Sequence, residues 1–196
     1  MKKVLAIDFD DILFDLNGTF TLWHNKTFAT SLELQDITHY ALNEIYGISN
    51  EEMNNRYYQF YETIEHSVTP MIAGAKEAVT ELKKEHDLHI VTSRYDRYKK
   101  VTLNWLDCYL PQMFTEIHFT NHYETGKRTK SEVCKEIGAC LLIDDAAHHV
   151  YDATKEGIPA LLLDKTWNQN DDIGKAIRVR DWDHALSHLK ENGLPR

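Results

Sequence analysis

The sequence predicts an α/β fold: a parallel sheet of about five strands with helices on both faces, and a small helical insertion after the first strand. Three observations carry this prediction. Residues 4–7 (Val4, Leu5, Ala6, Ile7) form an apolar run with the length and branching of a strand buried on both faces. Short strand-like stretches then alternate with stretches of helical period from residue 75 onward, the pattern of a parallel sheet covered on both sides. The run at 4–7 leads directly into Asp8, Phe9, Asp10 and Asp11. Carboxylates crowded at a strand end repel one another and gain nothing by packing, yet in open α/β sheets that edge is where ligands bind.

The elements follow in order. Residues 14–28 carry Asn17-Gly18 and several aromatics without a clean period. From 31 to about 67 the pattern turns helical. Leu34, Ile37, Thr38, Ala41 and Ile45 recur at three- and four-residue spacing before Gly47. Ser49 or Asn50, followed by Glu51 and Glu52, is the expected cap of a second helix through Tyr57, Tyr58, Phe60 and Tyr61. Two helices with no strand between them mark an insertion over 15–69, leaving 1–14 and 70–196 as the α/β core. In that core the pattern predicts a helix at 75–85 and a strand at 88–91 ending in Thr92-Ser93-Arg94. A helix at 95–108, a strand at 116–119 and a helix at 130–137 come next. A strand at 140–143 ends in Asp144-Asp145. A helix at 147–156, a strand at 160–163 and a last helix capped by Asp181 complete the chain.

Composition narrows the function. At 196 residues, 42% hydrophobic and 27% charged, the chain has the make-up of one globular α/β domain with an insertion. Net charge is −9, and the Lys/Arg runs at 83–84, 99–100 and 127–130 are short. Long nucleic acid is not an expected partner, because counterion release needs clustered cations. A small anion held by a metal is compatible with this balance, and so is a homo-oligomer. Three cysteines without CxxC spacing suggest neither a disulfide framework nor a zinc site. The apolar run at 4–7 is too short for a signal peptide, and no stretch approaches membrane-spanning length, so a cytoplasmic protein is expected.

If the sheet is parallel, the polar strand ends meet on one edge: Asp8 and Asp10 from the first strand, Thr92 and Ser93 from the second, Asp144 and Asp145 from the fourth. A lysine, Lys127 or Lys130, lies at or just before the helix that precedes the fourth strand. Several carboxylates form an oxygen-rich site suited to Mg2+, which keeps several waters and binds substrate phosphate as well. A hydroxyl and a lysine add donors for phosphate oxygens.

Asp8-Phe9-Asp10, Thr92, Lys130 and Asp144-Asp145, in that order at strand ends, resemble the haloacid dehalogenase (HAD) superfamily of aspartate-nucleophile phosphohydrolases, whose core is Rossmann-like. Each motif alone is common by chance; four in order are specific, and the match runs from residue 2 to about 163. Within that superfamily the chain looks most like the 5′(3′)-deoxyribonucleotidases and their bacterial nucleotidase relatives. That finer likeness rests on Trp23-His24-Asn25, Thr92-Ser93-Arg94, the setting of Asp144-Asp145, and Asp164-Lys165-Thr166-Trp167-Asn168. In two places the chain departs from the motif: Asp11 stands where Gly is common, and Ile12 where Thr or Val is common.

The resemblance implies an Mg2+-dependent phosphomonoesterase. Asp8 is the nucleophile that forms an aspartyl-phosphate, and Asp10 the acid and then base. Asp8, the Asp10 backbone carbonyl and Asp144 hold the metal, while Thr92, Ser93 and Lys130 bind phosphate. Asp145 and Arg94 support, Asp145 by orienting Lys130 or a metal-bound water and Arg94 by reaching the substrate phosphate. Phe14, Trp23, His24, Tyr57, Tyr58 and Tyr61 are candidates for stacking a base, Phe14, Trp23 and Tyr58 foremost, and the competing reading of such aromatics is the core of the insertion. The leading substrate is a nucleoside monophosphate. The alternatives are a sugar phosphate or other small metabolite, a mutase reaction, or a non-catalytic phosphate or nucleotide sensor on the same fold. A receiver-type signalling domain is disfavoured, because its phosphorylated Asp follows a middle strand, where this chain has Thr92-Ser93.

Overall fold

The computed structural model describes residues 2–120 and 128–194. Strand β1 (Lys3–Ile7) is followed by helices α1 (Leu16–Phe28), α2 (Leu42–Ile45), α3 (Asn50–Tyr61) and α4 (Ile64–Ser67). The chain then runs through α5 (Ala75–Glu85), β2 (His86–Thr92), α6 (Lys99–Tyr109), β3 (Glu116–Phe119), α7 (Lys130–Glu136) and β4 (Ala139–Asp144). It ends with α8 (Ala147–Lys155), β5 (Ala160–Leu163), β6 (Ile177–Val179) and α9 (Trp182–Asn192). The strands form one parallel sheet in the order β3-β2-β1-β4-β5-β6. The sheet therefore has six strands where about five were expected. The addition, β6, is three residues long and includes Arg178, too short and too polar to register as an apolar run.

The period-two alternation of strands sends successive side chains to opposite faces. Leu5, Ile7, Leu88, Ile90, Leu141, Ile143, Leu161 and Leu163 pack on one side with residues of α5, α6 and α9. Ala6, Val91, Leu142 and Leu162 pack on the other with Val133 and Cys134 of α7 and Val150 and Ala153 of α8. Every strand of the centre is buried on both faces, which is why the strands read as unbroken apolar runs.

The chain steps from β3 back across β1 to β4, so the strand order reverses between β1 and β4. A crevice opens there beyond the strand carboxyl ends. Asp8 follows β1, and its backbone N–H donates to the Ile143 carbonyl of β4 at 2.9 Å, fixing the two ends side by side.

The insertion carries its own aromatic cluster, built on Phe20, Trp23, Tyr46, Met53 and Phe60. Here the sequence expectation needs correction. The helix expected through Leu34 to Ile45 is a 3-10 turn at Leu34–Asp36, an extended Ile37 and the four-residue α2. Residues 16–28, read as lacking a period, form the thirteen-residue α1, with Asn17, Thr21 and His24 buried among its apolar residues. The cap of α3 is Ser49, whose side chain accepts from Glu52 N. Asp181 caps α9 as expected.

Candidate active site

Lys130 is the first residue of α7, after the capping box of Thr129 and Glu132. A cation there opposes the helix dipole, so its position is set by something other than helix stability. Its ammonium group lies 2.8 Å from Asp8 Oδ1 and donates to Asp144 Oδ2 at 2.7 Å. All three residues are buried. Asp144 Oδ1 accepts from the Ala146 N–H at 2.9 Å. Lys127, the competing lysine, lies outside the described residues.

Burial and then neighbouring charge set the electrostatics. Burial raises the Asp8 carboxyl well above the usual range; Lys130 opposes the rise and Asp144, Asp145 and Asp10 add to it. Burial likewise pushes Asp144 up to about 6 against the pull of Lys130. Burial alone would lower Lys130, but Asp144 and Asp8 outweigh it and hold the ammonium charged. Carboxylate oxygens of Asp8, Asp144 and Asp145 lie within 4.8 Å of one another. Asp8 and Asp144 share Lys130, and with Asp145 beside them the three acids make a donor set that suits a further cation, its all-oxygen make-up fitting Mg2+.

Asp10 lies beside these groups and has a different partner. Arg94 Nε and Nη2 donate to its two carboxylate oxygens at 2.9 and 2.7 Å, and Arg94 Nη1 donates to Thr102 Oγ1 at 2.9 Å. The guanidinium lies over the rings of Phe9 and Phe14 at 4.4 and 4.6 Å. Arg94, expected to reach substrate phosphate, thus has all three guanidinium nitrogens bonded inside the protein, and its partner is Asp10. Thr92 ends β2, buried, with Oγ1 accepting from Arg94 N. Ser93 Oγ pairs with His149 Nε2 of α8 at 3.0 Å.

Asp11 explains one departure from the expected motif. Its φ is +55°, the left-handed region where Gly is the ordinary residue and Asp is among the better tolerated ones. The side chain gives a second reason for Asp: Oδ1 accepts from Asn17 N in the first turn of α1 at 3.0 Å.

Above these groups lies a cavity of about 470 Å³. Its lining includes Asp8, Asp10, Ser93, Lys130 and Asp145, the tyrosines Tyr57, Tyr58, Tyr61, Tyr95 and Tyr98, and the amides Asn43, Asn50 and Asn54. Tyr61 stacks on Tyr98 with ring centroids 3.9 Å apart. Of the three foremost stacking candidates, Tyr58 lines the cavity and Phe14 and Trp23 do not. Phe14 is buried between Phe9 and Trp105, and Trp23 belongs to the aromatic cluster of the insertion. Burial in these cores is the physical reason neither can stack on a ligand in the cavity.

Three residues at the site had not been singled out individually from the sequence. Tyr40 O–H donates to Asp145 Oδ2 at 2.7 Å, and Trp167 Nε1 donates to the same oxygen at 2.8 Å. Asn168 Nδ2 donates to the carbonyls of Asp145 and Leu163, both at 2.8 Å. The Trp167-Asn168 pair had stood out as a local pattern; Tyr40, 105 residues from its partner, gives no local signal. Two other features lie away from this edge. A depression of about 630 Å³ is bounded by Lys2, Lys3, Glu85 and His86 at the amino ends of β1 and β2. His89 and His118, beside Glu116, hydrogen-bond each other at 3.1 Å through Nδ1 and Nε2.

An acidic strand end, a buried lysine and a late acidic pair meet at the switch point of a parallel sheet, the arrangement of an HAD-like hydrolase. Residues 2–190 match the family described as 5′ nucleotidase, deoxy (pyrimidine), cytosolic type C protein (NT5C), and the chain belongs to that family of phosphomonoester hydrolases. It is 29% identical over 195 residues to YqfW of Bacillus subtilis, which carries a nucleotidase name, covering 96% of this chain and 94% of that protein. It is 26% identical over 191 residues to the 5′(3′)-deoxyribonucleotidase of the same organism, covering 96% and 99%. The fold is shared with the magnesium-bound HAD hydrolase YfnB of B. subtilis, at TM-score 0.64 and 16% identity over 96% of this chain and 99% of that one.

Proposed function

We propose that the protein is an Mg2+-dependent phosphatase of nucleoside monophosphates, deoxynucleotides foremost, working through an aspartyl-phosphate on Asp8. The observation that carries this reading is the buried Asp8–Lys130–Asp144 group, at 2.7–2.8 Å, beside a tyrosine-lined cavity. A phosphoryl group entering from that cavity meets Asp8 first. An Asp8 oxygen forms a bond to phosphorus as the bond to the leaving oxygen breaks, and Asp10 gives that oxygen its proton. Water then attacks the phosphorus, Asp10 takes its proton, and the bond to Asp8 breaks to release inorganic phosphate. Thr92, Ser93 and Lys130 hold the phosphoryl oxygens, while Arg94 holds Asp10.

Asp8, the Asp10 carbonyl and Asp144 would hold Mg2+, which when bound supplies the charge neutralisation that lets an anionic nucleophile approach an anionic phosphate. The magnesium-bound relative supports that assignment at the level of the fold.

Residues 15–69 act as a cap over the core formed by 1–14 and 70–196. The cap and the residues after β2 supply the tyrosines, which offer flat apolar faces to a base. Asn43, Asn50 and Asn54 offer amides to its edge. The protein acts in the cytoplasm; no helix among the described residues is long and apolar enough to cross a membrane.

The test is phosphate release from deoxy- and ribonucleoside monophosphates and several sugar phosphates, with Mg2+, with chelator, and with Asp8→Asn. Metal-dependent turnover fastest on deoxynucleotides and absent in Asp8→Asn is the expected result. Turnover restricted to sugar phosphates would keep the chemistry and overturn the substrate. Binding without turnover would make the protein a sensor.

A further inference from the structure

Asp145 is the one acid of the buried trio that is held from the insertion. Its Oδ2 takes two donors, Tyr40 O–H at 2.7 Å and Trp167 Nε1 at 2.8 Å, which leaves Oδ1 for the cavity that Asp145 lines. The two donors have different origins. Trp167 is buried in the turn after β5, on the same core as Asp145. Tyr40 comes from the stretch between the Leu34–Asp36 turn and α2, which has no repeating structure of its own. Among the described residues, that stretch is held by buried Ile37, by Thr166 Oγ1 donating to the Leu34 carbonyl at 3.3 Å, and by the Tyr40 ring edge-on to His148 at 5.7 Å. Trp167 Nε1 is also 3.1 Å from the Tyr40 oxygen, so the three groups close a triangle.

We propose that Tyr40 is a positioning residue for the cation site, fixing Asp145 so that its other oxygen is turned toward the divalent cation that Asp8, the Asp10 carbonyl and Asp144 would hold. The inference rests on the reading of those acids as a cation site and adds the device that couples the site to the insertion. Groups that orient a metal's surroundings from outside typically contribute about 10–100-fold to affinity. Tyr40 is suited to such a role because its hydroxyl fixes one carboxylate oxygen without adding charge. The coupling is reciprocal: if the docked tyrosine favours the cation, the cation favours docking of residues 34–42 by the same factor.

The experiment is calorimetric titration of Mg2+ into the full chain and into Tyr40→Phe, which keeps the ring against His148 and removes only the hydroxyl. It is paired with hydrogen exchange of residues 34–42 in the unsubstituted protein with and without Mg2+. Weaker binding in Tyr40→Phe, by about tenfold or more, at unchanged melting temperature, together with slower exchange of 34–42 when Mg2+ is present, is the expected result. Equal affinity in the two proteins, or exchange indifferent to Mg2+, overturns the role of Tyr40 while leaving the cation site standing. Absence of Mg2+ binding in the unsubstituted protein overturns both. The exchange measurement does not depend on the variant, so a misfolded Tyr40→Phe would not shelter the idea.

Discussion

At the carboxyl edge of the sheet, Asp8, Lys130 and Asp144 are buried and held by ion pairs of 2.7–2.8 Å. In the insertion, Phe20, Trp23 and Phe60 are just as buried but held by ring contacts, with centroids 5.4–5.6 Å apart. The first arrangement is costly to assemble, since charges leave water and gain only if every partner is present. The second is forgiving, because volume-conserving changes among apolar groups are tolerated. A site with no tolerance suits the reaction, which is the same whatever phosphate ester is bound. On the proposed reading, a tolerant cluster suits the part that selects the substrate.

The largest effect that tests this contrast is Asp8→Asn. The amide keeps the shape and, on the proposed reading, loses the nucleophile, so turnover should fall by about four orders of magnitude or more, as when a reacting group is removed outright. Nucleotide binding, followed by equilibrium dialysis, should persist. Loss of binding with turnover partly retained would place the nucleophile elsewhere.

Lys130→Met comes next. The substitution leaves Asp8 and Asp144 facing each other in a buried space, and removal of one partner of such a group typically costs about 3–5 kcal/mol. Thermal unfolding should show a clear drop in melting temperature, and Mg2+ should recover part of it by supplying the missing positive charge. By contrast Phe60→Leu, in the insertion, should cost far less and leave hydrolysis of a small aryl phosphate unchanged. A Lys130→Met protein as stable as the parent would mean the two acids are neutral there.

The same contrast governs what the sequence could disclose. Central parallel strands are buried on both faces, so they appear as plain apolar runs, and the reactive groups stand immediately after them. Asp8, Thr92 and Asp144 were therefore legible as strand-end groups, whereas the lysine, which opens a helix and follows no strand, was legible only as Lys127 or Lys130; the structure brings Lys130 onto both acids. The insertion was legible in existence but not in form. Its apolar residues 34, 37, 41 and 45 keep helical spacing, yet Ile37 is extended because its burial and the Tyr40–Asp145 bond override that local preference. In α1 the reverse holds: buried Asn17, Thr21 and His24 break the apolar period of a real helix. Tyr40 acts through a partner 105 residues away, and no local pattern announces such a bond.

Tyr57→Ala probes the tolerant side in the lining of the cavity. Loss of one stacking surface is worth about 1–3 kcal/mol by alanine substitution in nucleic-acid binding sites. On the proposed reading this raises KM for nucleotides by roughly 5–150-fold and spares kcat/KM for a small sugar phosphate. An equal loss on both substrates would assign Tyr57 to the packing of the insertion.

The smallest effect concerns His66, where insertion and core meet. Its ring is buried against Phe14, Phe60 and Tyr61, and neither nitrogen has a hydrogen-bond partner among the described residues. Burial first, and the Arg94 charge second, lower its pKa from 6.5 to about 3. The folded protein therefore holds this histidine neutral at a pH where the unfolded chain already binds a proton. Between those two values the unfolded state carries more protons, so stability rises with pH. The contribution is whole above about pH 6.5 and is lost as pH falls toward the folded value of about 3. Asp8 and Asp144, whose folded pKa values are raised, act with the opposite sign, favouring the folded state as pH falls. The informative quantity is then the difference between the parent and His66→Phe, measured as urea midpoints from pH 7 to pH 4. The phenylalanine variant should lose less stability on acidification than the parent. Parallel curves would show that His66 keeps an ordinary pKa in the folded protein, and that the junction between the two regions is wetter than its packing indicates.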